Sequence, residues 1–174
     1  MNGGMIRFIL GSVLKVESVL LLFPCIVAVF YRESAGYWFL LTAVLSFVIG
    51  YLMVRKKPAN TVFYLKEGCV TTALSWIMIS LVGCLPFYLS GEIPAFTDAL
   101  FETISGFTTT GASILTDVEA MSKGMLYWRS FSHWLGGMGV LVFLLAIAPA
   151  DGKSNRFTMH LLRAESPGPT VGKL

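Results

Sequence analysis

Residues 94–149 read PAFTDALFETISGFTTTGASILTDVEAMSKGMLYWRSFSHWLGGMGVLVFLLAIAP. The stretch opens with a short amphipathic segment, 96–107, too short to cross a bilayer, since a helical span takes about 20 apolar residues. A polar run follows, Thr108-Thr109-Thr110-Gly111-Ala112-Ser113, then a polar linker, then an apolar segment long enough to cross. Another long apolar run, 70–89, comes before. The order is span, half-helix, polar loop, span. Irregular polar backbone at membrane depth is tolerated only where it is buried in protein or lines a watery cavity. A pore loop meets that condition, and rows of its backbone carbonyls can replace a cation's hydration shell.

The rest of the chain agrees with a membrane setting. Of its 174 residues, 55% are hydrophobic and 13% charged, where soluble chains carry about a quarter charged. Mean hydropathy is +0.73. The net charge of +3 comes from basic residues outside the apolar runs, near Arg55-Lys56-Lys57 and along the tail. That distribution suits membrane orientation, and no nucleic-acid motif accompanies it. Cys25, Cys69 and Cys84 stand apart with no CxxC, as small buried hydrophobes do. The first apolar run is long and lacks a small-residue cleavage site, so it reads as a retained span.

Residues 9–31 form that first span, about 23 residues against the ~20 required. Lys15 and Glu17 lie near its start, where long stems reach the interface; a functional intramembrane carboxylate at Glu17 is the alternative. Pro24 removes a backbone donor and bends the helix. Residues 32–36 make a polar turn. The second span, 37–54, has Tyr37, Trp38 and Tyr51 near its ends, where aromatic rings favour headgroups. The next loop holds Arg55, Lys56, Lys57 and Lys66 against Glu67, which places it in the cytoplasm. Alternation then puts the amino terminus inside, 32–36 outside and span 70–89 running outward. The half-helix enters from outside, and span 127–148 runs inward to a basic tail. The expected fold class is an all-α polytopic membrane protein with four full spans and one re-entrant half-helix. Its parts are a two-helix hairpin (1–67), one helix–pore-loop–helix repeat (68–150) and a tail or linker (151–174), where Pro167-Gly168-Pro169 reads as a turn.

Around the polar loop, Thr97 or Asp98 can cap the half-helix, Asp98 also suiting the positive end of its dipole. Gly106 weakens helix continuation and admits a left-handed turn. A half-helix entering from outside aims its negative end at the membrane centre, where a dehydrated cation is stabilised. Thr108, Thr109 and Thr110 then supply closely spaced carbonyls without formal charge, and Gly111 permits backbone angles and close approach that a side chain hinders. A threonine-rich outer hairpin is the alternative, and an extended 107–110 is compatible with a filter. Glu102 shares one side of the half-helix with Asp98; if buried it needs a partner, and Arg129 is available. Arg129, His133 and Gly136 or Gly137 share one face of the last span, whose glycines allow close helix packing. His133 fits a packed, hydrogen-bonded role, a pore-lining or proton-sensitive one, or metal ligation, but sits in no ligand-spaced motif. Trp128 and Trp134 read as interface and packing residues, and Met121, Met125 and Met138 as packing. No nucleophile, carboxylate pair or metal cluster assembles into an enzyme's site.

The run FETISGFTTTGA at 101–112, followed by WRSFSHWLGGMG at 128–139, closely resembles the bacterial Trk/Ktr potassium-uptake membrane subunits, Trk-type branch. The resemblance extends over the preceding hairpin and RAESPGP at 163–169. It implies four helix–pore-loop–helix repeats around one potassium path, of which this chain carries the first. Thr108, Thr109, Thr110 and Gly111 are then one quarter of the filter, with Glu102, Arg129, His133, Gly136 and Gly137 as support. Potassium is the transported substrate and no cofactor is implied. The implied partners are the missing pore repeats, a second full-length subunit, a cytosolic nucleotide-binding regulatory subunit and the lipid bilayer. The implied location is the bacterial plasma membrane, with both termini cytoplasmic. Three repeats are missing, including those with the family's intramembrane gating loop and the basic residue beneath the filter, so the chain reads as an amino-terminal fragment. Two functional classes follow: potassium transport within a complete subunit, or a nonconducting membrane scaffold.

Overall fold

The computed structural model describes residues 3–56, Pro58 and 65–147, with backbone alone at 65, 66 and beyond 139. The expected basic tail and most of the basic loop lie outside the described residues. Among the described residues seven helical elements follow one another: α1 Gly3–Leu20, α2 Leu22–Phe30, α3 Ala35–Val54, α4 Leu65–Gly83, α5 Leu85–Ser90, α6 Phe96–Phe107 and α7 Lys123–Ile147. Three stretches among the described residues are long and apolar enough to cross a membrane: Gly3–Phe30, Ala35–Val54 and Glu67–Ser90. The fold is all-α and multi-span.

Both broken spans break beside a proline. Pro24 has no N–H, so the carbonyl of Leu20 loses its helical donor and the chain turns at Leu21 between α1 and α2. The ladder continues on either side, Leu21 N donating to Glu17 O at 2.9 Å and Cys25 N to Leu21 O at 3.4 Å. Pro86 does the same after Cys84, separating α4 from α5.

Helix α3 turns its large residues outward. Leu41, Val44 and Leu52 are exposed, while Phe39, Ala43, Ser46 and Gly50 face α1 and the core. Lipid is as apolar as leucine, so close approach of small residues holds such a pair instead of expulsion of water. Ser46 Oγ donates to Leu14 O across the seam at 2.9 Å.

The core gathers on Trp128 of α7, which is 0% exposed. Its Nε1 donates to Gly83 O at the end of α4, 2.8 Å away. Its ring meets Phe39 of α3 edge-on at 6.4 Å and Phe107 of α6 at 6.1 Å. One indole therefore ties four helices together, so Trp128 is a packing residue, whereas Trp134 is 56% exposed.

Ionic caps fix which ends lie together. The Glu33 carboxylate, in the α2–α3 turn, accepts from Lys123 N at 2.8 Å and Gly124 N at 3.0 Å. Glu92, after α5, accepts from Ser122 N at 3.1 Å. Two acids thus satisfy unpaired amides at the positive end of α7. At the opposite end of the bundle Arg7 donates to Lys56 O at 3.1 Å. Helix α7 begins sooner than the expected 127 and is interrupted at Gly139, whose φ of 71° and ψ of 153° belong to a region only glycine occupies readily.

Candidate functional site

Helix α6 spans Phe96–Phe107, the bounds expected of the half-helix. Its start differs from expectation. Ala95 is the N-cap, extended at φ −90° and ψ 125°, and makes no side-chain cap. Thr97 and Asp98 lie inside the first turn, Thr97 Oγ1 donating to Asp98 Oδ1 at 3.5 Å. Pro94 keeps the residues before the helix extended, and Asp98 serves the dipole as a first-turn acid.

The end of α6 is a Schellman turn. Thr110 N donates to Ser105 O and Thr109 N to Gly106 O, both at 3.0 Å. The residue forced into the left-handed region is Thr109, at φ 56°, with Gly111 following at φ 75°. Gly106, expected to make that turn, stays helical. It is glycine because a Cβ there would strike Ser132 Oγ of α7. The extended 107–110 is likewise not seen, since Phe107 closes the helix and the next residues turn. A β-branched residue at positive φ is an outlier that the surroundings must enforce.

Those surroundings converge on Glu102, 1% exposed. Its carboxylate accepts from Arg129 Nε at 2.5 Å, from Ser113 Oγ at 3.0 and 3.1 Å and from Ile114 N at 3.3 Å. Ser105 Oγ adds a strap to Ala112 O at 2.6 Å. Both ends of the loop are therefore anchored while 108–113 remain exposed. Thr108 Oγ1 and Thr110 Oγ1 are 2.8 Å apart. Among the described residues, no hydrogen bond reaches the carbonyl oxygens of Thr108, Thr109, Thr110 or Gly111. The site thus offers neutral oxygens beside the negative end of a helix, with the nearest carboxylate neutralised by Arg129. Among the described residues no three His, Cys, Asp or Glu side chains gather as a metal site.

Helix α7 supports the loop from behind. His133 Nδ1 lies 2.9 Å from Arg129 O; a carbonyl only accepts, so this nitrogen carries the proton. Gly136 lies against the end of α6, and a Cβ there would strike Phe107 O and come within 2.7 Å of Phe107 C. Gly137, expected to share that close contact, faces away, with Thr109 Cγ2 at 4.0 Å from a built Cβ. Successive helical residues point about 100° apart, so only one of the two can meet α6. Sequence reasoning missed Ser105, Ser113 and Ser132, common residues whose spacing carries no helical signal to Glu102 or Gly106. Of the two readings left open for Glu17, an interfacial acid and an intramembrane carboxylate, its burial favours the second: it is 2% exposed in the α1 seam.

A family profile described as "TrkH: Cation transport protein" matches residues 37–174. The chain is 37% identical over 166 residues to the Trk system potassium uptake protein TrkH of Escherichia coli, covering 92% of this chain and 33% of that protein. It is 36% identical over 148 residues to an uncharacterized cation transporter of Methanocaldococcus jannaschii, covering 84% of this chain and 31% of the relative. The crystal structure of the potassium transporter TrkH from Vibrio parahaemolyticus superposes with a TM-score of 0.75 at 29% identity, over 93% of this chain and 37% of that one. The chain spans about a third of the length of the curated relatives it matches.

Proposed function

Because the chain belongs to the TrkH cation transport protein family, we propose that it supplies the first quarter of a potassium filter in a Trk-type uptake subunit. The family is one of transporters, not of catalysts. One observation carries the proposal: the α6–loop junction, where a helix carboxyl end is followed by four unclaimed carbonyls from Thr108 to Gly111. A cation that sheds water needs such oxygens, and the helix dipole adds negative potential without a titrating group. In this reading α6 is a re-entrant half-helix, and α4–α5, α6, the loop and α7 are one pore repeat. Residues 1–67 form a peripheral hairpin, and α7 is the fourth full span.

The ends that share a side fit this layout. The turn at 32–36, the loop before α6 and the start of α7 lie together, and the amino end of α1 lies with the end of α3. With the basic loop cytoplasmic, α6 enters from outside. The partners proposed are the remaining pore repeats, a second subunit and a cytosolic nucleotide-binding regulator, at a cell membrane. The space around Gly111 is open, with nothing within 4 Å of where a Cβ would sit, which supports reading the loop as one wall of a path. Conduction then needs the other walls; the second reading is that these residues serve as a nonconducting membrane scaffold.

The test is potassium and sodium uptake by a complete four-repeat subunit carrying Gly111→Ser, corrected for membrane abundance. Serine keeps the site small and neutral but disfavours φ 75°. The expected result is weakened preference for potassium over sodium. Unchanged flux and preference reject the filter assignment, and selective potassium flux from the isolated chain in liposomes rejects the scaffold reading of the chain alone.

A further inference from the structure

Between α1, α4, α6 and α7 lies a cavity bordered by Glu17, Ser75, Phe107, Trp128 and Gly139. Both carboxyl oxygens of Glu17 are buried without a hydrogen-bond partner, and so is Ser75 Oγ. Thr72 Oγ1, one turn earlier on α4, is in the same condition. We propose that Glu17 is a proton-binding site within the membrane, completed by Ser75 and a bridging water.

The argument starts from missing counter-charge. A lone carboxylate buried among apolar side chains carries a large desolvation penalty, and such groups are found paired, metal-bound or neutral. Among the described residues, the groups around Glu17 offer no pairing. Lys15 is two residues away on α1, a spacing that does not face Glu17. From α7, Arg129 is committed to Glu102 and His133 to the Arg129 carbonyl. From the α4–α5 junction, Cys84 is a free thiol and brings no positive charge. The remaining cavity lining contains no basic side chain. A proton is the compensating cation that fits.

Space and donors decide the rest. Room for water centres is about 30 Å³, above the roughly 10–15 Å³ that one water requires. A buried water needs two to four polar partners, and Glu17 with Ser75 provides three oxygens. The site also has a place in the machinery. Phe107 borders the cavity and is covalently joined to Thr108, so a charge appearing on Glu17 would act on the first residue of the loop. That last step rests on the filter reading above; the proton site does not.

The test is infrared spectroscopy of the purified protein in lipid nanodiscs, with glutamate carboxyl groups labelled by carbon-13. The expected result at neutral pH is a protonated-acid carbonyl band, shifted in heavy water and absent from Glu17→Gln. A wild-type spectrum without that band overturns the site, as does a band that persists in Glu17→Gln. Should Glu17→Gln not fold, Ser75→Ala decides: a shifted acid band supports the water bridge, and an unshifted one overturns it. In a complete subunit, potassium uptake against pH should contain a step that Glu17→Gln lacks. A step retained in that variant overturns the coupling to the loop.

Discussion

Gly136 and Gly137 are neighbours in sequence with opposite surroundings, which allows a controlled comparison. Replacing Gly136 with alanine places a methyl group against the last carbonyl of α6. From 2.7 Å, the carbonyl carbon of Phe107 must retreat by about 0.7 Å to reach 3.4 Å, where ordinary contact begins. Backbone does not swing aside as a flexible side chain does, and overpacking of this kind costs about 1–3 kcal/mol. Alanine also gains up to ~1 kcal/mol of helix propensity over glycine, but the same gain applies at Gly137. There the nearest atom, Thr109 Cγ2, is 4.0 Å away and nothing must move. The difference between the two variants therefore isolates the steric term. For a chain of this size about 1 kcal/mol corresponds to ~2–4 °C in Tm, so Gly136→Ala should melt roughly 2–12 °C below Gly137→Ala. Thermal unfolding in detergent, followed by tryptophan fluorescence, measures it. Equal midpoints, or Gly137→Ala melting lower, would refute the packing described between α6 and α7.

Glu102→Ala should destabilise by roughly 3–5 kcal/mol, because it leaves Arg129 partly buried without its counter-charge. Glu102→Gln, which keeps an acceptor, should lose less, and equal losses in chemical unfolding would count against the ion pair's role. Glu33→Ala should cost about 1 kcal/mol by uncapping α7; faster hydrogen exchange at the Lys123 and Gly124 amides checks it, and unchanged exchange argues against the cap. Thr109→Gly should stabilise by about 1 kcal/mol through relief of the left-handed threonine. A lower melting temperature in that variant would show that the threonine side chain, not its backbone strain, dominates there.

The bounds of α6 were legible because two independent signals agree. Pro94 blocks an earlier start, and the threonine run marks the end of the amphipathic pattern. The pairing of Glu102 with Arg129 was legible by elimination, since a buried acid in an apolar region has few partners to choose from. The left-handed residue was not. Gly106 is the obvious candidate by residue type, yet it is glycine to clear Ser132 within the helix, and the left-handed residue is Thr109. Choosing between Gly136 and Gly137 required the crossing of α6 over α7, which no local pattern encodes. The same holds for Trp128, whose partners lie on three other helices, and for Glu17, whose burial depends on α4 and α7 closing over α1.

The cap that Glu33 places on α7 also constrains how the protein is made. The carboxylate precedes the Lys123 amide by 90 positions. At about 5–20 residues per second of translation, roughly 5–18 s separate the two groups leaving the ribosome. During that interval the Glu33 carboxylate has no α7 amides to cap. The start of α7 thus takes its cap from a turn made seconds earlier. A lesion in the turn between α2 and α3 would then loosen the start of a helix 90 positions further along the chain.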